Sequence, residues 1–374
     1  MSSPDFMGVV ATPGRVAGIV GALGAAAAVG AAVGVAAERV LIRRAIRPDS
    51  ERDEPFGGLR GRVVPVVATD GTQLHVEVED PPEGSIAERA GDDLTIIFSH
   101  GYALEEDSWH YQRRDLRALG RLVLWDQRSH GRSARGPKEN ATIDQLGSDL
   151  AAVIAATAPT GPIVLVGHSM GGMTVMSYAA QHPEEFGGRV RGVALLATSS
   201  GGLADIPSLG LPTPIAKWFH AAAPGIAGQL AERKELVERG RKAGSDIAYL
   251  LTKVYSFGSN VPPSLTGFVH RMLSATPIDV VAEFLPTLET HDKRTALEAI
   301  GRVDTLVLVG DADLLTPSEH SDEIVRHVPG AELVIIPDSG HMLMLEKYPE
   351  VNQHLRELVA RVRKSLAADA GASA

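Results

Sequence analysis

The sequence predicts an α/β fold: a mostly parallel, eight-stranded sheet with helices on both faces and a helical cap inserted late in the chain. Two observations carry this. Short apolar runs rich in β-branched residues alternate with segments of helical period, the pattern of parallel strands joined by crossover helices. One of these runs, Ile163-Val164-Leu165-Val166, passes through Gly167-His168-Ser169-Met170-Gly171-Gly172 into a helical pattern ending near Ala180, a strand–turn–helix junction. Size agrees with this: 374 residues, 44% apolar and 22% charged, hold one large domain with an insertion, or two ordinary domains.

In chain order, residues 1–59 stand apart. Val16–Ala37 is an uncharged run of 22 residues, long enough to cross a bilayer as a helix, but ten Ala and five Gly leave only seven larger aliphatic side chains. A single membrane-associated helix is the favoured reading. The alternatives are a cleaved signal peptide, disfavoured because no positive cluster precedes the run, and a soluble Ala/Gly helix. Arg39, Arg43, Arg44, Arg47 and Arg52 follow the run against Arg15 before it, so a spanning helix would leave the large domain on the cytoplasmic side. The other readings leave the protein cytoplasmic and soluble, or exported. Arg47–Leu59, with Pro48, Pro55 and Gly57-Gly58, reads as a charged linker, and the folded domain is expected from Arg60 to Ala367.

Arg62–Ala68 and Gln73–Glu79 flank Asp70-Gly71 as a two-strand unit with a tight turn. A polar loop at Pro81–Asp93 precedes a buried strand at Leu94–Ser99. A helix at Trp109–Leu119, a strand at Leu122–Trp125 and a helix at Leu146–Ala156 lead to the Ile163–Val166 strand. Val190–Leu196, Thr305–Val309 and Glu332–Ile336 are the last three strands; Ser318–His327 and Val351–Ala367 are the closing helices. The insertion, about Thr198–Ile300, shows helical patterns at 215–222, 226–241, 247–255, 265–273 and 280–285. It is expected to be a cap rather than an independent domain, because chain on both sides of it completes the sheet. Residues 368–374 read as a disordered tail.

A net charge of −10, with no Lys/Arg-rich block in the globular part, argues against a nucleic-acid partner. The chain has no cysteine, which removes disulfides, thiolate metal sites and cysteine nucleophiles and leaves the compartment open.

In this architecture ligands and reactive groups collect at the carboxyl ends of the strands. Ser169 lies there, on a turn whose flanking glycines permit a sharp reversal, beside the positive end of the following helix. A serine hydroxyl needs a base within hydrogen-bond reach. Of the 13 histidines, His341 is best placed, in Pro337-Asp338-Ser339-Gly340-His341 just past the last strand. The imidazole in turn needs an acid to hold its tautomer. Gly310-Asp311-Ala312-Asp313 ends the preceding strand and offers two; Asp313 is the first choice and Asp311 the reserve, while Thr198-Ser199-Ser200 offers no carboxylate. The N–H of Met170, after the serine, and the N–H of Tyr102 in His100-Gly101-Tyr102 are the expected oxyanion donors. His100 itself reads as a structural loop residue.

His100-Gly101, Asp126-x-Arg128-x-His130-Gly131-x-Ser133, Gly167-His168-Ser169-Met170-Gly171-Gly172, Gly310-x-x-Asp313 and Gly340-His341 together resemble the α/β-hydrolase fold family, more narrowly its esterase, monoacylglycerol-lipase-like and non-haem haloperoxidase-like branch. The resemblance covers approximately Arg60–Ala367. It implies a Ser-His-Asp hydrolase with no metal or cofactor, a helical cap over the site, and a mainly structural role for the Asp126–Ser133 loop. Family members that act on epoxides or haloalkanes place an aspartate at the nucleophile, so Ser169 points to acyl chemistry. The added N-terminal segment lies outside the resemblance.

The expectation is a serine hydrolase cleaving small-molecule carboxylic esters, apolar or lipid-derived, through Ser169. Trp218, Phe219, Tyr255, Phe257, Phe268, Met272 and Phe284 could line an acyl pocket, and each reads equally well as packing within the cap. Perhydrolysis, thioester hydrolysis and acyl transfer use the same triad and stay open. So does a membrane-anchored ligand-binding or interaction protein on the same scaffold, and the oligomeric state is left open.

Overall fold

The strands follow the apolar runs. In the computed structural model, which describes residues 49–91, 93–203 and 249–372, these are β1 (Arg62–Val67), β2 (Gln73–Glu79), β3 (Thr95–Ser99), β4 (Arg121–Trp125), β5 (Ile163–His168), β6 (Val190–Leu196), β7 (Asp304–Gly310) and β8 (Glu332–Ile336). They form one sheet in the order β1-β2-β4-β3-β5-β6-β7-β8. β2 runs antiparallel to β1 and β4, and every other pairing is parallel. The main helices are α1 (His110–Leu116), α2 (Ile143–Thr157), α3 (Met170–Gln181), α4 (Pro263–Ala275), α5 (Ile278–Glu289), α6 (Ser318–His327) and α7 (Tyr348–Ala372).

Successive strand residues point into two different cores. Ile96, Phe98, Val164, Val166, Leu306 and Leu308 pack with Leu355, Leu358 and Val359 of α7. Their neighbours Ile97, Ile163, Leu165 and Val307 pack with Val153 of α2 and Val175 of α3 on the other face. A strand covered on both sides must be apolar at every position, which is why these segments read as continuous runs and not as alternating ones.

Several boundaries differ from expectation, each for a local reason. The Pro81–Asp93 loop contains a short helix, Ile86–Ala90, because Ser85 caps it by accepting the Glu88 N–H at 3.2 Å. α2 starts before Leu146 because Thr142 accepts the Gln145 N–H at 3.1 Å. Packing begins before Arg60: Phe56, within the polar linker, stacks on Phe268 with ring centroids 4.8 Å apart, and Glu54 accepts from His110 at 2.8 Å. At the other end, α7 continues to Ala372 where a disordered tail was expected from Ala368. Ala-rich sequence favours helix there, and Asp369 pairs with Arg191 of β6.

Among the described residues of the insertion, 249–256, α4 and α5 are helical. The patterns at 215–222 and 226–241, with Trp218 and Phe219, lie outside the described residues, as does Val16–Ala37. Among the described residues no helix is long and apolar enough to cross a membrane.

Strand register sets the site. Ser99 pairs with Gly167, His168 with Leu196, Leu196 with Leu308, and Gly310 with Ile336. The loops that carry Tyr102, Ser169, Asp313 and His341 therefore leave the sheet at one edge.

Candidate active site

Ser169 occupies the single residue between β5 and α3, with φ 52° and ψ −119°. A non-glycine residue in this region costs of order 1–3 kcal/mol, so the surroundings must impose it. They do so through the backbone: the Ser169 N–H donates to Leu196 O at 2.9 Å, and the Thr198 hydroxyl donates to Ser169 O at 2.7 Å. The turn also needs α3 to press against β3. A Cβ at Gly171 would lie 2.0 Å from Ser99 O, which only glycine avoids. In this strained turn Ser169 is partly exposed.

His341 meets Asp313 and not Asp311. Its Nδ1 lies 2.9 Å and 3.1 Å from the two Asp313 carboxylate oxygens. Nδ1–H must be the donor, which leaves Nε2 with its lone pair free to take a proton. Asp313 also accepts the Leu315 and Thr316 N–H groups at 2.9 Å and 3.0 Å, and the Thr316 hydroxyl at 2.9 Å. Burial would raise its pKa, but the charge and hydrogen bond of His341 and the two N–H groups hold it below the ordinary carboxylate value. Asp311 is exposed and takes the Ser339 N–H at 3.3 Å, the role of a turn aspartate. The remaining hydrogen bonds of His341 run to Thr316 and, through its carbonyl, to His168 Nε2 at 2.9 Å. Among the described residues none joins it to Ser169 Oγ, a contact that often tightens only with substrate in place. The His168 bond ties the residue before the serine directly to the histidine loop.

As the first residue of α3, Met170 has an N–H with no intrahelical acceptor. The turn after β3 is closed by Leu104 N–H to Gly101 O at 3.2 Å, with Ala103 at φ 56°. Tyr102 packs against the cluster of Met170, Met173, Val280, Phe284 and Leu288, and its hydroxyl donates to Val281 O of α5. The two expected oxyanion donors thus sit beside the cap helix.

The other histidines at this edge are neutral supports. His100 donates from Nδ1 to Gly101 O at 2.8 Å and accepts the Gln127 N–H on Nε2 at 2.9 Å; burial lowers its pKa to about 4. Burial also takes His168 and His130 to about 3. The 126–133 loop serves structure as well. Asp126 accepts the Glu106 and Arg132 N–H groups at 2.6 Å and 2.8 Å, and Arg128 forks onto Asp149 at 2.6 Å and 2.7 Å.

Phe257, Phe268 and Met272 of the candidate acyl pocket belong to the main core, and only Phe284 of the described candidates clusters with Met170. Among the described residues two groups could bring metal-ligating atoms together, His75/Glu77/Glu106 and Glu332/His354/Glu357. Arg113 and Arg132 occupy the carboxylates of the first and Arg361 pairs with Glu332 of the second, and neither group includes a residue of the Ser169 edge. Thr198 and Thr316 had no sequence signal beyond their hydroxyls; Thr198 acts on backbone that only the fold brings within reach, and Thr316 on the carboxylate of Asp313 in the same turn.

The alpha/beta hydrolase fold profile matches residues 95–348, which span β3 to the start of α7. The chain belongs to this family. It is 30% identical over 268 residues to the AB hydrolase superfamily protein YisY of Bacillus subtilis (strain 168), covering 71% of this chain and 91% of that one. It is 32% identical over 256 residues to a monoacylglycerol lipase of Mycolicibacterium smegmatis, covering 67% and 85%. Among solved structures, a thermophilic esterase from Thermogutta terrifontis superposes with a TM-score of 0.61 at 26% identity, covering 81% of this chain and all of that one.

Proposed function

We propose that this hydrolase cleaves carboxylic esters by acyl transfer through Ser169. The observation that carries the reading is the buried Asp313–His341 pair, with Nδ1 turned to the carboxylate and the His341 carbonyl bonded to His168, the residue before the strained Ser169 at the end of β5. In this reading His341 Nε2 takes the Ser169 proton as Oγ attacks the ester carbonyl. The Met170 and Tyr102 N–H groups stabilise the oxyanion, and Asp313 stabilises the imidazolium. His341 then protonates the leaving alkoxide, and in the second step it activates the water that releases the acid.

The apolar side chains around Met170 and the likeness to a monoacylglycerol lipase support an apolar or lipid-derived ester. The cap, about residues 198–300, is assigned the choice of acyl group. On its composition, Val16–Ala37 is proposed as a membrane-associated helix, which fractionation of the full chain against one starting at Ser50 would test.

The deciding experiment is a series of aryl esters of increasing acyl length, assayed with wild type and Ser169→Ala, alongside labelling by a fluorophosphonate. Wild type is expected to hydrolyse esters and label at Ser169, and Ser169→Ala to do neither. Full hydrolysis by Ser169→Ala would sink the proposal.

A further inference from the structure

One side chain joins the loop that carries His341 to the cap. Glu346, half-buried at the end of the short helix Leu343–Glu346, accepts three backbone N–H groups. Gly340 donates to Oε2 at 2.7 Å, Gly258 to Oε2 at 3.1 Å and Ser259 to Oε1 at 2.5 Å. Gly340 immediately precedes His341, whereas Gly258 and Ser259 follow the cap helix at 249–256.

The histidine is held on its other sides too. The Met342 N–H donates to Ser256 O at 2.8 Å, and His341 O accepts from His168 at 2.9 Å. Residues 340, 341 and 342 thus have their backbones fixed by Glu346, by β5 and by the cap respectively. The two segments touch directly: a Cβ on Gly340 would lie 2.6 Å from Gly258 N, and one on Gly258 2.6 Å from Ser339 C. An ionised carboxylate accepts on both oxygens, and charge-assisted bonds of this kind are stronger than neutral ones. Glutamine is nearly isosteric but would turn an NH2 toward at least one of the N–H donors.

We propose that Glu346 is a positioning residue that fastens the His341 loop to cap segment 256–259, so that the cap and the base move as one unit. This rests on the reading of Ser169 and His341 given above. Without the Glu346 carboxylate, His341 keeps its bond to Asp313 but loses one of three backbone anchors, and the cap keeps only the Met342–Ser256 backbone bond and the Gly258–Gly340 contact to the histidine loop. Misplacement of a catalytic group by about 1 Å costs on the order of 100-fold in rate.

The test uses the full chain as wild type, Glu346→Gln and Glu346→Asp. Aryl acetate and aryl decanoate are the substrates, rates are expressed per serine titrated with a fluorophosphonate, and thermal unfolding is recorded in parallel. Glu346→Gln is expected to lose about 10- to 100-fold in kcat per titrated serine. The ratio of kcat/KM for decanoate over acetate should also shift, and Glu346→Asp should fall between the two. Wild-type kcat per serine in Glu346→Gln overturns the proposal. So does a loss of equal size for both esters, the mark of a merely structural role. If Glu346→Gln does not fold, Glu346→Asp carries the test alone: an intermediate kcat with a shifted ratio supports positioning, and wild-type values overturn it. A wild type that neither hydrolyses nor labels overturns the reading of Ser169 on which the proposal stands.

Discussion

The carboxyl edge of the sheet and the cap above it are held by different means. At the sheet edge, backbone fixes backbone: Ser169 N–H to Leu196 O, Ala197 N–H to Leu308 O and Asp311 N–H to Ile336 O all lie between 2.8 and 3.1 Å. These bonds continue the strand register, so the segments that carry Ser169, Asp313 and His341 inherit the rigidity of the sheet. The cap is attached mainly through side chains. Thr276 donates to Ala103 O at 3.1 Å, the Ile143 N–H donates to the Thr287 hydroxyl at 3.0 Å, Phe284 fills the cluster around Met170, and Arg135 reaches Asp279 and Glu283. In the proposed reading, chemistry rests where geometry is over-determined, and substrate choice is assigned to the region whose contacts can be exchanged without disturbing the sheet.

The sharpest test of the rigid side is the acid. Asp313→Asn leaves the shape of the site but offers His341 Nδ1 a side chain that does not hold the required tautomer or stabilise the imidazolium. Turnover is expected to fall by about 10⁴, as in the serine-protease template. Asp311→Asn, on an exposed turn, should leave kcat near wild type. Steady-state kinetics on one aryl ester decide between them, and a collapse in Asp311→Asn with a mild Asp313→Asn would reverse the assignment.

How much of this was legible in the sequence follows from the same division. β2, β6 and β8 begin and end where the sequence pattern places them, because strand period and β-branched content declare themselves residue by residue. Ser169, Asp313 and His341 could be singled out as candidates because each lies in the loop just past a strand end. Thr198 and the Glu346 link to Gly258 and Ser259 could not: both bond to groups on another segment, and nothing local marks such a partner. The cap was legible as helix but not as a site, since Phe268 and Met272 have the same spacing whether they line a pocket or fill a core. Phe56, read as linker, shows one aromatic residue docking a polar stretch through a contact far along the chain.

Glycine separates the two regions at the level of stability. Gly171→Ala would place a methyl 2.0 Å from Ser99 O with no flexible side chain to yield. A destabilisation of about 3 kcal/mol, the upper part of the range for overpacking, is expected in urea unfolding. Gly267 lies within α4, and its added Cβ would meet only Arg271 Nη1, at 4.0 Å. Gly267→Ala is therefore expected to stabilise by up to about 1 kcal/mol through helix propensity. Equal losses at both positions would mean that the cap is as tightly determined as the sheet edge, and the contrast would fail.

The smallest effect probes the attachment of the cap by charge. Arg135, on the loop after the 126–133 turn, lies 3.0 Å from Asp279 and 2.7 Å from Glu283 of α5. The Arg135 side chain is 39% exposed and that of Asp279 67%, so water and salt screen the pair, and holding a long side chain in one geometry costs entropy. Arg135→Ala should therefore cost only about 0.5 kcal/mol. The cost should shrink further as salt rises, because the Debye length falls to about 3 Å at 1 M. Ester kinetics should barely change, since Phe284 and the Tyr102–Val281 bond still seat α5 beside Met170. Urea unfolding of wild type and Arg135→Ala at low and high salt measures this. A loss above about 2 kcal/mol that persists in 1 M salt would show α5 to be held by the ion pairs, not by the cluster around Phe284, and the cap would then be a charged latch over the site instead of an apolar lid.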